Sequence, residues 1–195
     1  SEKEMFVHLN NRALLRITGK DCESFLQSQL SNDVNKLDNS RIQLSAYCQH
    51  QGKILTLFWL LRCEDGFFLS FPLDLIETII NRLKMFILMS DVKIEKASDK
   101  YLQVGLINEN QADAYELNGQ LSLMLVDSKS AEKFTFTSQQ YWDKACIDNL
   151  IPEVNSITTE KFVPQMLNLD IDEIGVNFTK GCYPGQEVVA RLHYL

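Results

Sequence analysis

Residues 54–61 are apolar at every position but Thr56. The turn Glu64-Asp65-Gly66 follows, and then a second apolar run over 67–71. Two such runs about a turn predict a β-hairpin. The first run is far too short to span a bilayer. Beyond the hairpin, Pro72 suits the first turn of a helix. Ile76, Ile79, Ile80, Leu83 and Ile87 then repeat at helical spacing, opposite Glu77, Asn81 and Lys84. That stripe is a core-packing face. Strands are predicted over 92–95, 101–107 and 121–126, with a short helix over 110–117. The order strand-strand-helix-strand-strand-helix-strand implies an α+β protein: an antiparallel sheet with helices on one face.

The flanks carry the same grammar. Residues 13–18 read as a strand, and Cys22, Phe25, Leu26 and Leu30 fall on one helical face. Ser31-Asn32-Asp33 ends that helix as a turn. Over 41–47 the pattern alternates, with Ile42, Leu44 and Ala46 inward and Arg41, Gln43 and Ser45 outward, a half-buried strand. After strand-like residues 134–137, Ser138 is the predicted N-cap of a helix. Tyr141, Trp142, Ala145 and Cys146 lie along one side of it. Trp142 has two readings, a core anchor or a flat surface for a ligand.

With 195 residues, 45% of them hydrophobic, the chain can bury a sizeable core. A formal charge of -7 argues against a broad nucleic-acid face but leaves room for a small anionic ligand in a local pocket. The cysteines, at 22, 48, 63, 146 and 182, are odd in number and form no CxxC. They therefore predict neither a disulfide framework nor a standard zinc site. Cys48 and His50 lack partners at metal-binding spacing. The expected compartment is reducing, and the expected location cytoplasmic. The charged N-terminus does not read as a signal peptide.

One loop concentrates the chemistry. Lys180-Gly181-Cys182-Tyr183-Pro184-Gly185-Gln186-Glu187 sets a thiol between two glycine bends, with a cation two residues away. A nearby ammonium favours a thiolate if the side chains meet. The alternative is a small buried apolar cysteine in a tight turn. Upstream, Gln165 and Asn168 offer donor and acceptor groups suited to a pocket wall.

Residues 180–187 resemble the signature of the YgfZ family, folate-binding relatives of the glycine-cleavage T-protein. Residues 162–169, residues 25–34 and the Gln51-Gly52-Lys53 turn resemble further family segments, in the family's order. The resemblance implies a first, folate-binding domain from residues 1–47 and 138–195 and an inserted ferredoxin-like domain over 48–137. A C-terminal β-barrel usually follows and is expected to be absent from this chain. The resemblance also implies tetrahydrofolate, or a derivative, as the ligand. It implies support of iron–sulfur cluster assembly or repair in proteins that include radical tRNA-modifying enzymes. No direct nucleic-acid or membrane partner is implied. Cys182 matches a cysteine important for family activity, with Lys180 beside it. Trp142 matches an aromatic lining the folate cleft, and Gln165 and Asn168 are candidates for the pterin edge. Arg12 stands where a relative can carry Trp; a guanidinium stacks too, or pairs with the folate glutamate tail. Leu150 stands where relatives usually have Gly.

An aminomethyl- or methyltransferase of the T-protein type is the alternative reading, but aminomethyltransferases carry a catalytic aspartate where this chain has Thr56 and Leu57, so aminomethyl cleavage is not expected. Two further readings stand beside the folate-dependent accessory factor. One is a cysteine hydrolase using Cys182, His193 and Glu187, with His193 otherwise an incidental strand residue. The other is a folate-free interaction domain. The folate reading expects Cys182 and Trp142 on the rim of one cavity.

Overall fold

The computed structural model describes residues 3–194. Strand β1 (Met5–His8) precedes β2 (Arg12–Thr18), α1 (Cys22–Gln29), β3 (Gln43–Cys48), β4 (Ile54–Cys63), β5 (Gly66–Pro72), α2 (Ile76–Ile87) and β6 (Lys93–Lys96). There follow β7 (Leu102–Ile107), β8 (Tyr115–Glu116), β9 (Leu121–Val126), the single turn α3 (Ser128–Ala131), α4 (Gln139–Asp148) and α5 (Gln186–Tyr194). The strands form two sheets, ordered β3-β4-β5-β2-β6 and β1-β7-β9-β8, with antiparallel ladders throughout.

The hairpin β4–β5 is the centre of the larger sheet, with Leu60 opposite Leu69 and Leu61 opposite Phe68. Its lack of alternation has a plain cause: both faces are covered. On one face Phe58, Leu60, Leu69 and Phe71 pack with Leu26 of α1 and with Ile79 and Leu83 of α2. On the other, Leu57, Trp59, Leu61 and Phe68 share a cluster with Ile107, Leu121 and Leu123 of the smaller sheet and Trp142 of α4. The helical stripe of α2 is thus core, as its spacing predicts.

Three expectations are corrected. Ser45 is fully buried, not outward, because β3 is also covered on both sides; its Oγ accepts from Asn32 N at 3.0 Å. Residues 110–117 form a turn and the short β8 rather than a helix, held by the ladder to β9. His193 sits on a helix, α5, not on a strand. β3 pairs with β4, β2 with β5 and β6, and β1 with β7. Residues 12–96 supply the larger sheet, and residues 5–8 and 102–126 the smaller.

Candidate functional site: a cleft at the end of α4

Ser138 caps α4 as predicted, its side chain accepting from Gln140 N. The helix ends in a Schellman turn, with Ile151 N donating to Cys146 O at 2.9 Å and Leu150 N to Ile147 O at 3.1 Å. Such a turn places one residue in the left-handed region, and here it is Leu150, at φ +57°. The backbone at this position thus favours Gly. Leu150 is 87% exposed, so its side chain gains little in return. Leu150→Gly is expected to stabilise the fold by about 1 kcal/mol, the left-handed penalty less the flexibility Gly adds to the unfolded chain. Urea unfolding of the two proteins measures it.

The turn directs Ile151, Pro152 and Glu153 to a cleft of about 260 Å³, whose other walls include Arg12, Trp59, Gln139, Trp142 and Cys146. Trp142 is 3% exposed. Its ring lies so close on Gly105 of β7 that a Cβ there would sit 2.6 Å from Cε3. Its other neighbour is Trp59, edge-on, with ring centroids 6.2 Å apart. Of the two readings of Trp142 the core anchor prevails, and the same residue closes the inner wall of the cleft.

Arg12 is the charged centre of this wall. Its guanidinium lies 3.5 Å from the Trp59 ring centroid. Nε donates to Ser70 Oγ at 2.9 Å, and Nη1 reaches Glu153 Oε1 at 3.4 Å. Nη2 is buried and has no acceptor among the described residues. Burial pulls the guanidinium down to about 10, and Glu153 opposes that shift. Burial likewise pushes the Cys146 thiol up to about 12, so it is a neutral wall rather than a nucleophile. Trp59, Gln139 and Glu153 were not singled out in the sequence, and Cys146 was named there only as a neighbour of Trp142 on one side of the helix. Trp59 is hidden inside an apolar strand, and nothing short of the Schellman geometry marks Glu153.

The cysteine loop is built elsewhere. Ser31 and Asn32, after α1, form its anchor: Ser31 Oγ donates to Gly175 O at 2.6 Å and accepts from Ala46 N at 2.9 Å. Asn32 Nδ2 donates to Leu44 O and Ile174 O. Lys180 reaches into the same anchor, donating to Leu30 O and, at 2.7 Å, to Asn32 O. Burial lowers its ammonium to about 8, partly offset by Asp33. The Lys180 ammonium is therefore a clamp on carbonyls, the groups a helix end leaves open. Farther along, Gly185 at φ +78° sits directly on Gly52 at φ +84°, in the tight turn between β3 and β4. The segments that resemble the family, dispersed along the chain, thus meet at one end of the larger sheet.

Cys182 is exposed and borders an open hollow of about 500 Å³ along the polar side of α1, with Lys20, Glu23, Gln27 and Ser28. This hollow shares no lining residue with the Trp142 cleft. The two lie on opposite sides of the larger sheet, since α1 covers the face away from Trp59 and Trp142. The expectation of one shared rim is overturned. Arg12 and Trp142 come together; Cys182, Lys180, Gln165 and Asn168 do not join them. Gln165 donates to Val189 O at 2.6 Å and so holds α5 in place. Asn168 is exposed and supplies the left-handed residue that closes a 3-10 turn. His193 stacks on Phe178 and faces Asp170 at 3.4 Å, and no histidine lines the hollow of Cys182 among the described residues. Among those residues no cluster of ligands suits a metal ion.

The two antiparallel sheets and their helices define a protein of the T-protein fold. The chain matches the glycine cleavage system aminomethyltransferase T of Bartonella henselae over 98% of its length and 63% of that chain, with TM-score 0.71 and 12% identity. By sequence it is 30% identical to an uncharacterized protein of Haemophilus influenzae, covering 97% of this chain and 69% of that one. It is 30% identical to the tRNA-modifying protein YgfZ of Vibrio atlanticus and 28% to that of Colwellia psychrerythraea, covering 97% of this chain and 66% and 67% of theirs. No family model matches the chain. The chain belongs to the YgfZ family. It spans about two thirds of the length of these relatives.

Proposed function

We propose that the chain binds a tetrahydrofolate in the Arg12–Trp142 cleft. It acts as an accessory protein for assembly or repair of iron–sulfur clusters, and so supports tRNA modification indirectly, through the radical enzymes that carry such clusters. The observation that carries this reading is the cleft itself: indole walls with a buried guanidinium whose Nη2 lacks an acceptor among the described residues. At about 260 Å³ the cleft falls just below the roughly 300–1,000 Å³ of small-molecule pockets, so it suits the bicyclic ring alone, with the tail outside. The Thr56 hydroxyl, where an aminomethyltransferase holds its acid, donates to Val154 O at 3.0 Å and offers no carboxylate. A net charge of -7 speaks against direct tRNA contact. No helix among the described residues is long and apolar enough to cross a membrane.

Isothermal titration with tetrahydrofolate and 5-formyl-tetrahydrofolate tests the reading. One saturable site is expected for at least one of the two. Alkylation of Cys182 is expected to leave that binding unchanged, because the thiol lies across the sheet from the cleft, while abolishing support of the cluster-bearing enzymes. Absence of heat with both ligands would replace the reading by the folate-free interaction domain.

A further inference from the structure

A ligand whose ring fills the cleft must pass the rest of itself across the rim, and the neighbouring hollows set the way out. One, of about 330 Å³, continues the cleft: it shares Asn11 and Glu153 with it and runs on past Leu73, Asp74 and Asn155. Another, of about 180 Å³, meets the cleft only at Arg12, whose side chain is 5% exposed and closes that route. The open route is acidic. Asp143 and Glu153 stand on the cleft and Asp74 beyond it, all three exposed. Gln139 Nε2 holds Asp143 at 3.0 Å, and Ser156 donates to Asp74 from both N and Oγ. Among the described residues that line the cleft and this hollow, Arg12 is the one cation. It is already committed, with Nε on Ser70 and Nη1 facing Glu153. Lys144, next to Asp143 in sequence, pairs with Asp148 and lines neither space.

We propose that this rim makes the chain selective for short-tailed folates. Glu153 and Asp74, with Asp143 beside them, repel a poly-γ-glutamate tail and so set the tail length that the site accepts. The inference rests on the folate reading, and it gives the tail no partner in Arg12. Each γ-glutamyl residue added to a folate brings one more negative charge and leaves the ring unchanged. The cleft therefore meets the same ring in every form, while the rim meets a tail of growing charge. Like charges within a Debye length, about 8–10 Å at ordinary ionic strength, repel one another, and salt screens them. Unfavourable juxtaposition of this kind is how a site rejects the wrong partner without gaining a contact to the right one.

The test is isothermal titration of the chain with tetrahydrofolate as its monoglutamate and as its triglutamate, at about 20 mM and about 300 mM salt. At the lower salt the triglutamate, with two more charges, is expected to bind about fivefold more weakly, and at the higher salt the two forms are expected to converge. The double variant Glu153→Gln with Asp74→Asn is expected to bring the low-salt ratio below about twofold, since one carboxylate of the three remains. Both substitutions are at exposed positions and keep a side-chain oxygen that accepts hydrogen bonds, and unchanged thermal unfolding confirms an intact fold. A triglutamate that binds as tightly as the monoglutamate at low salt overturns the inference and leaves the folate reading standing. A ratio that the double variant leaves unaltered places the repulsion in the overall charge of -7 and overturns the assignment to this rim. If neither form binds, the folate reading falls and the inference falls with it.

Discussion

Gly185→Ala is expected to cost about 3–4 kcal/mol of stability, close to the upper limit for a single substitution. A Cβ at residue 185 would stand 2.6 Å from Gln49 O, 2.7 Å from Gly52 Cα and 2.8 Å from Gly52 N. All three are backbone atoms, so no side chain can swing aside. The turn between β3 and β4 must move, and overpacking of this kind costs about 1–3 kcal/mol. Residue 185 also has φ +78°, which adds about 1–2 kcal/mol for any L side chain. The control is Gly181→Ala in the same loop, where a Cβ meets nothing within 4 Å and φ is not positive. It is expected to change stability by less than about 0.5 kcal/mol. Urea unfolding midpoints measure both. Equal losses for the two variants would show that the interlock with Gly52 carries no energy.

Trp142→Ala is expected to cost a further large amount, about 3–5 kcal/mol, from loss of a buried indole and the cavity left behind. The indole fills the space between Gly105 of β7 and Trp59 of β4, and so joins the two sheets through α4. A loss of that size takes a typical domain close to unfolding. Loss of ligand binding in Trp142→Ala would therefore say little about stacking. Trp142→Phe is the informative substitution: it keeps an aromatic ring against Gly105, and it is expected to fold and to weaken tetrahydrofolate binding. Chemical unfolding followed by titration of the folded variant separates the effects. A Trp142→Ala protein as stable as wild type would remove the joint between the sheets from the account.

Much of the fold was legible in the residues, and the limits have physical causes. Periodicity gave the hairpin, the stripe of α2, the strand over residues 13–18 and the Ser138 cap, because each is a local pattern. It misjudged Ser45, since alternation shows only that two faces differ, and not that a second layer covers the polar one. The cysteine loop was recognised as shaped, yet its cation points at the carbonyls of Leu30 and Asn32, a destination far away in sequence. Arg12 and Trp142 were named together only through the resemblance to a family. Glu153 and Trp59, which complete their cleft, were invisible without the turn at Leu150 and the burial of β4.

The contact between Gly52 and Gly185 also bears on how the molecule is made. The turn between β3 and β4 leaves the ribosome well before the loop that seats on it. Until then the Gln49–Gly52 backbone has no cover, and Ser31 and Asn32 wait for residues 174–180. Long-range closures of this sort slow folding. Nascent chains stalled before residue 185 are accordingly expected to be cut by proteases more readily than chains stalled after the loop has seated.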